Sequence, residues 1–172
     1  CAVGLCLGMR FNVLAEGLRH FDGLRRRLQV RGEARGVAVV EDYAHHPTEI
    51  ASTLEAIRWA RPKRIVGVFQ PHLYSRTKHF CDEFAAVLAQ LDHAIVTDIY
   101  PSREAPIPGV DAGMVVDAAH NLEARHVELV RDRHAVPARL LEIVEPGDIV
   151  LILGAGDINQ IVEPLLHDLG EG

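Results

Sequence analysis

The sequence RIVGVFQPHLYSRTKHFCDEFAAVLAQLDHAIVTDI, residues 64–99, contains the pattern from which the fold class follows. The β-branched run Arg64–Phe69 is typical of a buried strand, and His93–Ile99 has the same character. Between them, Lys78–Leu91 has helical spacing, and its apolar stripe consists of Phe80, Phe84, Val87, Leu88 and Leu91. This order of strand, helix and strand predicts two parallel strands joined by a crossover helix.

The alternation of strands and helices continues on both sides of this stretch. Upstream, Leu28–Arg31 and Val37–Val40 flank a glycine-bearing segment, Gly32–Gly36, which predicts a β-hairpin. Further helices are predicted at 47–60, 111–122, 136–144 and 157–169, the last with Asp157 as N-cap, and further strands at 126–130 and 149–153. Together these elements predict an α/β fold, a doubly wound, mostly parallel six-stranded sheet with an N-terminal hairpin and helices on both faces.

The first 24 residues differ from the rest of the chain. Ala2–Leu24 is predicted to be helical, with apolar positions at Leu5, Met9, Leu14, Leu18 and Phe21. The chain begins at Cys1 without a methionine, directly in an apolar segment. We therefore expect the chain to be a fragment of a larger protein.

The composition argues against several classes of protein. The 172 residues carry a net charge of −6, from 18 basic and 24 acidic side chains, whereas general nucleic-acid binders and proteins that bind anionic membranes are basic. No apolar run approaches the roughly 18 residues of a membrane span. The three cysteines are odd in number and lack CxxC spacing, which predicts a reducing compartment such as the cytoplasm. We expect neither a nucleic-acid nor a membrane partner.

Unusual polar segments follow four of the predicted strands. They are residues 42–46, 70–77, 98–109 and 154–157. Ligands of doubly wound folds bind beyond the carboxyl ends of the strands, where these segments lie. We therefore predict a binding site at this edge of the sheet.

Each segment also has a structural interpretation. In the first segment Asp42 or a histidine can cap a helix, and Asp42, His45, His46 and Glu49 are all metal-ligand types. Alternatively, Asp42 can bind a sugar hydroxyl or a base while a histidine holds an oxygen-rich substrate, and the residues alone do not decide. Arg76 and Lys78 near a predicted helix start can receive an anion or be solvated. Gly154–Gly156 lacks the third glycine of a dinucleotide fingerprint and also suits a tight turn, while Arg25–Arg27 can be a solvated run or reach into a cleft.

Five strings, in this order, resemble the Mur ligase family. They are Arg26–Leu28 (RRL), Glu41–Glu49 (EDYAHHPTE), Phe69–Thr77 (FQPHLYSRT), Glu104–Gly109 (EAPIPG) and Gly154–Gly156 (GAG). The similarity extends over nearly the whole chain. The HHPTE and QPH segments are specific to the family, whereas GAG alone is weak.

The resemblance implies that 25–172 is a Rossmann-like C-terminal domain of this family and that 1–24 is the tail of the central ATPase domain. It implies a ligase that joins an amino acid to a carboxylate through an acyl phosphate while ATP is hydrolysed to ADP and phosphate. The strings are most similar to those of family members that join L-alanine to UDP-N-acetylmuramate in peptidoglycan biosynthesis. The family's phosphate-binding loop and magnesium ligands lie in the central domain, so ATP and Mg²⁺ are expected mainly outside this chain, and the chain alone is expected to be inactive.

The resemblance also assigns site residues. Arg27 is similar to the linker arginine that reaches an ATP phosphate, and Asp42 to the acid that holds the ribose. The residues similar to those that meet the muramyl substrate and L-alanine are Tyr43, His45, His72 and Arg76. Leu73 stands where many relatives have an arginine, which leaves Arg76 alone to pair with the carboxylate of alanine.

Three alternatives remain open. A related ligase that adds a murein tripeptide to the same nucleotide sugar shares the Asp-x-x-His-His-Pro-Thr pattern, although Gln70–His72 and Ala105–Gly109 favour L-alanine. A metal-dependent hydrolase can be built on Asp42, His45, His46 and His72. The third alternative is a binding or regulatory module without catalytic activity.

Overall fold

A computed structural model describes residues 1–20 and 23–171. Its strands are β1 (Gln29–Ala34), β2 (Val37–Asp42), β3 (Ile65–Phe69), β4 (His93–Val96), β5 (Val127–Leu129) and β6 (Ile149–Leu153). Its helices are α1 (Ala2–Cys6), α2 (Phe11–Arg19), α3 (Pro47–Arg58), α4 (Tyr74–His79), α5 (Cys81–Leu88), α6 (Gly113–Asn121), α7 (Val136–Ile143) and α8 (Val162–Glu171). Short 3-10 helices at Arg133–Ala135 and Ile158–Ile161 precede α7 and α8.

The strands form a six-stranded sheet in the order β1-β2-β6-β3-β4-β5. Strand β1 runs antiparallel to β2, and the other pairs are parallel. The last strand in the sequence, β6, therefore lies between β2 and β3. The predicted α/β fold, with a mostly parallel sheet and an N-terminal hairpin, is confirmed.

Both faces of the sheet are buried. In β6, Leu151 and Leu153 point into a core shared with α3, α5 and α6, while Val150 and Ile152 point into a second core shared with α7 and α8. All four side chains are inaccessible to solvent. Because consecutive side chains of a strand point to opposite faces, this continuous apolar run suits a central strand covered on both sides.

The hairpin turn differs from the prediction. It consists of Arg35 and Gly36, with φ of 53° and 73°, the two positive values of a type I′ turn. Gly32 instead lies within β1, where the register shifts between Val30 and Gly32. A Cβ atom at Gly32 would lie 3.1 Å from a methyl group of Leu166, so the glycine lets α8 approach the strand closely.

The predicted helix Lys78–Leu91 is two helices, and the first begins four residues earlier. Phe80, with φ −109° and ψ 24°, separates α4 from α5. Its ring packs edge-on against His46, with 4.5 Å between the ring centroids. Arg76 is the third residue of the short helix α4 and Lys78 the fifth, so the expectation of a cation near a helix N-terminus is confirmed for Arg76 and wrong for Lys78.

Asp157 occupies the predicted N-cap position, but of a 3-10 helix and without a side-chain cap. The residue precedes the 3-10 helix Ile158–Ile161, and α8 begins only at Val162. Within the part of the chain that the structure describes, the Asp157 carboxylate makes no capping hydrogen bond. It accepts a hydrogen bond from Gln70 Nε2 at 2.9 Å instead, because Gln70 reaches it from the end of the neighbouring strand β3.

The N-terminal helices α1 and α2 bury none of their residues. Phe21 of the predicted apolar set lies outside the described residues, and the proposed boundary after residue 24 stays a prediction. Among the helices of the described residues, none has the length and apolar character needed to cross a membrane.

The central position of β6 leads to a stability prediction. Leu151→Ala should lower the free energy of unfolding by about 2–5 kcal/mol, because it removes buried methyl groups and leaves a cavity under α3 and α5. Val30→Ala is the control, since Val30 is 68% exposed on the edge strand, and it should change stability by less than about 1 kcal/mol. Urea unfolding followed by circular dichroism measures both, and equal losses would contradict the assignment of β6 as the centre of the core.

Candidate functional site

The candidate site lies where β3 and β6 end side by side. The connection after β3 leads to helices on one face of the sheet, and β6 leads to α8 on the other face. Such a divergence opens a crevice at the carboxyl ends of the strands, the usual ligand position in doubly wound folds. The four predicted polar segments meet along this edge.

The loop after β6 is held tightly against the end of β3. Gln70, which is 4% exposed, accepts a hydrogen bond from the Ile158 amide at 3.1 Å and donates one to Asp157. A Cβ atom at Gly156 would lie 2.4 Å from Gln70 Oε1 and 2.6 Å from the Tyr100 ring. The glycines therefore serve a tight turn, one of the two interpretations that the sequence left open.

An open cleft of about 500 Å³ adjoins this turn. Arg133 lies on its wall and pairs with Asp157 at 3.3 Å, and Arg131 pairs with Asp98 at 3.0 Å. Sequence reasoning did not select Gln70, Arg131 or Arg133 as site residues. Gln70 could have been found, since a glutamine directly after a fully apolar strand must satisfy its amide near the strand ends.

Asp42 ends β2 with its carboxylate buried. One oxygen accepts the Leu28 amide at 2.8 Å and the other accepts the Ala44 amide at 2.7 Å. The side chain is 4% exposed and ties the segment before β1 to the end of β2. Its assignment to a ribose stays a prediction.

The two neighbouring arginines before the hairpin point in different directions. Arg26 reaches inward, with Nε 2.6 Å from Glu41 Oε1 and Nη2 donating to the Gly154 carbonyl at 2.6 Å. Arg27 is exposed, with its guanidinium 5.8 Å from the centre of the Tyr43 ring. The resemblance selected Arg27 and did not select Arg26. The buried acid Glu41 is the signal that calls for an arginine partner.

His46 and Glu49 form a capping box at the start of α3. His46 Nδ1 accepts the Thr48 amide at 3.3 Å, and Glu49 accepts the amides of His45 and His46 at 3.0 and 3.2 Å. Burial alone would raise the pKa of Glu49. The amide of His45, with the positive charges of His45 and Arg27 nearby, outweighs burial, and the pKa lies below its ordinary value. The capping interpretation of this segment is confirmed for His46, and the sequence analysis did not assign the capping role that Glu49 also has.

Four rings form a row across the site: Tyr43, His45, His72 and Tyr100. Successive ring centroids are 5.4, 5.7 and 5.7 Å apart. The structure thus brings together three residues that the resemblance selected on two different segments. Arg76 lies close enough to His72 for its charge to affect that ring.

Two buried nitrogen atoms, one in this row and one beside it, lack a hydrogen-bond partner among the described residues. They are His72 Nδ1 and Arg76 Nη1. Burial lowers the pKa of His72, and the positive charges of Arg76 and His45 lower it further. The unpaired guanidinium nitrogen can bind an anionic group of a ligand, and the neighbouring imidazole can accept a hydrogen bond from a donor on the same ligand.

The proline-containing loop 98–109 is anchored to α4 and to the end of β3. Glu104 accepts the Ser75 amide at 2.9 Å and the Ser75 hydroxyl, and these bonds hold the pKa of Glu104 below its ordinary value. The Tyr100 amide donates to the Pro71 carbonyl at 2.8 Å. These bonds keep the Tyr100 ring next to His72 at the end of the row.

The metal-hydrolase alternative does not fit this geometry. Within residues 1–20 and 23–171, no three histidine, cysteine, aspartate or glutamate side chains converge so as to hold a metal ion. Asp42 is occupied by two backbone amides, and His46 by its capping bond and by Phe80. Among the described residues, Asp42, His45, His46 and His72 therefore do not form a metal site, and the hydrolase alternative has no support in this geometry.

Comparison with known proteins supports the resemblance. Residues 26–156 match the family model described as "Mur ligase, glutamate ligase domain". The chain belongs to the Mur ligase family. It is 49% identical over 174 residues to the UDP-N-acetylmuramate–L-alanine ligase of Salinibacter ruber, with 98% of this chain covered. It is 45% identical over 172 residues to the enzyme of that name from Streptomyces griseus, with 99% covered.

Solved structures of Mur ligases share the fold. The UDP-N-acetylmuramate–alanine ligase of Thermotoga maritima matches with a TM-score of 0.78 and 25% identity, over 97% of this chain and 35% of that one. A murein peptide ligase from Psychrobacter arcticus matches with a TM-score of 0.72 and 23% identity, over 91% and 32%, which shows the fold alone. This Mur ligase chain spans 37% of the length of the two curated relatives above.

The row of rings leads to a pH prediction. His72 should titrate below its ordinary pKa of about 6.5, and Arg76→Gln should move the pKa upward by removing a positive charge. Below about pH 6.5, His72 therefore binds a proton more readily in the unfolded chain than in the folded one. As a result, its contribution lowers the free energy of unfolding as the pH falls below about 6.5.

Histidine titration by two-dimensional NMR measures this pKa. Lys78→Gln is the matched control, since Lys78 is exposed in the same helix and does not act on His72. An unchanged His72 pKa in Arg76→Gln would show that the two side chains are not coupled.

Proposed function

We propose that this chain is the C-terminal part of a peptidoglycan-precursor ligase that joins L-alanine to UDP-N-acetylmuramate. The observation that carries the proposal is the 49% identity, over 98% of the chain, to an enzyme of that name. In this reaction the muramyl carboxylate attacks the γ-phosphorus of ATP and ADP leaves, which forms an acyl phosphate. The amine of L-alanine then attacks the acyl carbon, phosphate leaves, and a proton is released as the amide forms.

Arg76 is the proposed partner of the alanine carboxylate. Its buried Nη1 has no partner among the described residues, and a carboxylate would supply one with a charge-assisted bond. His72, kept neutral by burial and by Arg76, can accept a hydrogen bond from the amine without adding a second positive charge. Tyr43 and His45, in the same row of rings, are proposed to meet the muramyl substrate.

Arg27 and Asp42 are proposed to serve the nucleotide. Arg27 is exposed beside Tyr43 and can extend toward an ATP phosphate, as an arginine suits bidentate binding of phosphate. Asp42 holds the backbone next to Arg27 and is proposed to hold the ribose with the lone pairs that its amide bonds leave free. Both assignments rest on the family resemblance.

The described residues contain no cluster of three ligand side chains for a metal ion, so we propose that Mg²⁺ and most of the ATP contacts belong to the central domain of the full-length protein. Because ATP and UDP-N-acetylmuramate are nucleotides, we propose that the enzyme works in the cytoplasm.

The 172-residue chain alone should release no ADP from ATP, because the central domain is proposed to bind most of the nucleotide. Release of ADP that depends on both L-alanine and UDP-N-acetylmuramate would contradict this assignment of ATP binding to the central domain.

The choice of acceptor is tested with the full-length protein. L-Alanine should support ADP release with UDP-N-acetylmuramate, and the murein tripeptide should not. Preference for the tripeptide would assign the protein to the recycling ligases of the same family. Inability to use either acceptor would contradict the proposed reaction.

Arg76→Ala in the full-length protein should raise the KM for L-alanine by about 10- to 100-fold, the cost of losing a hydrogen-bonded charge pair. Arg125→Ala is the control, because Arg125 is exposed at the opposite edge of the sheet, before β5. Steady-state kinetics with varied L-alanine measure both variants. The role of Arg76 is wrong if the KM for L-alanine is the same in the two.

A further inference from the structure

The segment before β1 has an unfavourable backbone. Arg26 and Leu28 have φ of 58° and 44°, in the left-handed region that residues with side chains rarely adopt. Two such residues so close together persist only where surrounding contacts hold them. Three residues, Arg26–Leu28, form this segment, which we call the linker.

Three hydrogen bonds hold the backbone of the linker. The Arg26 amide donates to Gln29 Oε1 at 2.9 Å, and the Arg26 carbonyl accepts the Tyr43 amide at 2.7 Å. The Leu28 amide donates to the Asp42 carboxylate at 2.8 Å. The residues on both sides of Arg27 are therefore fixed to the end of β2.

The side chain of Arg26 extends this attachment to the loop after β6. Its guanidinium pairs with Glu41 at 2.6 Å and donates to the carbonyls of Gly154 and Gly156 at 2.6 and 3.2 Å. It also lies 4.9 Å from the centre of the Tyr43 ring. One planar group with five N–H donors thus joins the linker to two neighbouring strand ends, a geometry that lysine cannot reproduce.

The acid that Arg26 meets is itself enclosed. Glu41 is 1% exposed, and its second oxygen pairs with Arg31. Arg31 in turn pairs with Glu163 of α8 at 2.8 Å. A buried carboxylate requires such partners, so Glu41 holds Arg26 in one orientation.

We propose that Arg26 is a positioning residue that sets where the Arg27 guanidinium meets the phosphates of ATP. The inference rests on the proposed function. Arg26 holds the linker on the N-terminal side of Arg27 through its backbone bonds, and its side chain ties the linker to the loop after β6. Its guanidinium lies 4.9 Å from the centre of the Tyr43 ring, and that of the exposed Arg27 lies 5.8 Å from the same centre. Arg26 makes no contact with substrate in this role and acts through Arg27.

The test uses the full-length protein and the matched pair Arg26→Lys and Arg25→Lys. Arg25 is exposed and forms no side-chain hydrogen bond or ion pair with the residues that the structure describes. Lysine keeps the charge next to Glu41, which favours folding, and loses the bonds to the two glycine carbonyls. Arg26→Lys should raise the KM for ATP about tenfold, and Arg26→Ala should reduce kcat/KM for ATP by about 100-fold, the usual penalty for misplacing a reacting group by an ångström.

A double-mutant cycle separates positioning from mere stability. If Arg26 acts through Arg27, Arg26→Lys should add little to the KM for ATP once Arg27 is alanine, whereas independent effects would multiply. A variant that only unfolds more easily lowers kcat through the amount of active enzyme and leaves the KM for ATP unchanged. Methylguanidine should partly restore Arg26→Ala by occupying the vacated position.

The outcomes are distinct. Equal KM values for ATP in Arg26→Lys and Arg25→Lys, or multiplying effects of Arg26→Lys and Arg27→Ala, would overturn the positioning role while the ligase activity stands. An inactive wild-type protein would overturn the proposed function and this inference together.

Discussion

Burial of both faces of the sheet is the constraint on which the rest of the structure depends. Apolar side chains occupy the faces of the central strands, and their backbone groups are taken by the neighbouring strands. Polar side chains that are free to bind a ligand are therefore found where the strands end. The candidate site is consequently a set of strand ends, and its precision depends on how firmly the following loops are held to one another.

Glu41 is the exception within this arrangement, since it is a charged residue buried in β2 beside β6. It is accommodated because Arg26 and Arg31 enclose it. Replacement of such a group by an apolar side chain often preserves stability, so a buried ion pair is by itself weak evidence of a stabilising role. Here the pair joins three separate segments of the chain, and this connection explains why a charge at this position is useful.

The sequence predicted the fold well where a local pattern reflects burial. The apolar run 149–153 corresponds to the central strand, and capping by a histidine, one of the interpretations left open for residues 41–49, corresponds to His46 at the start of α3. The prediction of one continuous helix failed at Phe80. This residue keeps the apolar spacing of the helix, but its backbone is not helical and its ring packs against His46. The sequence also did not indicate that Arg26 is the arginine that turns inward, because its pairing with the buried Glu41 becomes visible only once β2 is in place.

The position of β6 has a consequence for the order of assembly. β2 and β3 do not pair with each other, and both pair with β6, which is synthesised after β1–β5. Until residues 149–153 leave the ribosome, the hairpin and the β3–β5 unit have no common sheet, and their edges are open. Contacts across 128 residues, such as that of Arg26 with Gly154, form only after this late insertion. A nascent chain that stalls before β6 therefore exposes two unpaired strand edges, which are sites for chaperone binding or for pairing with another chain.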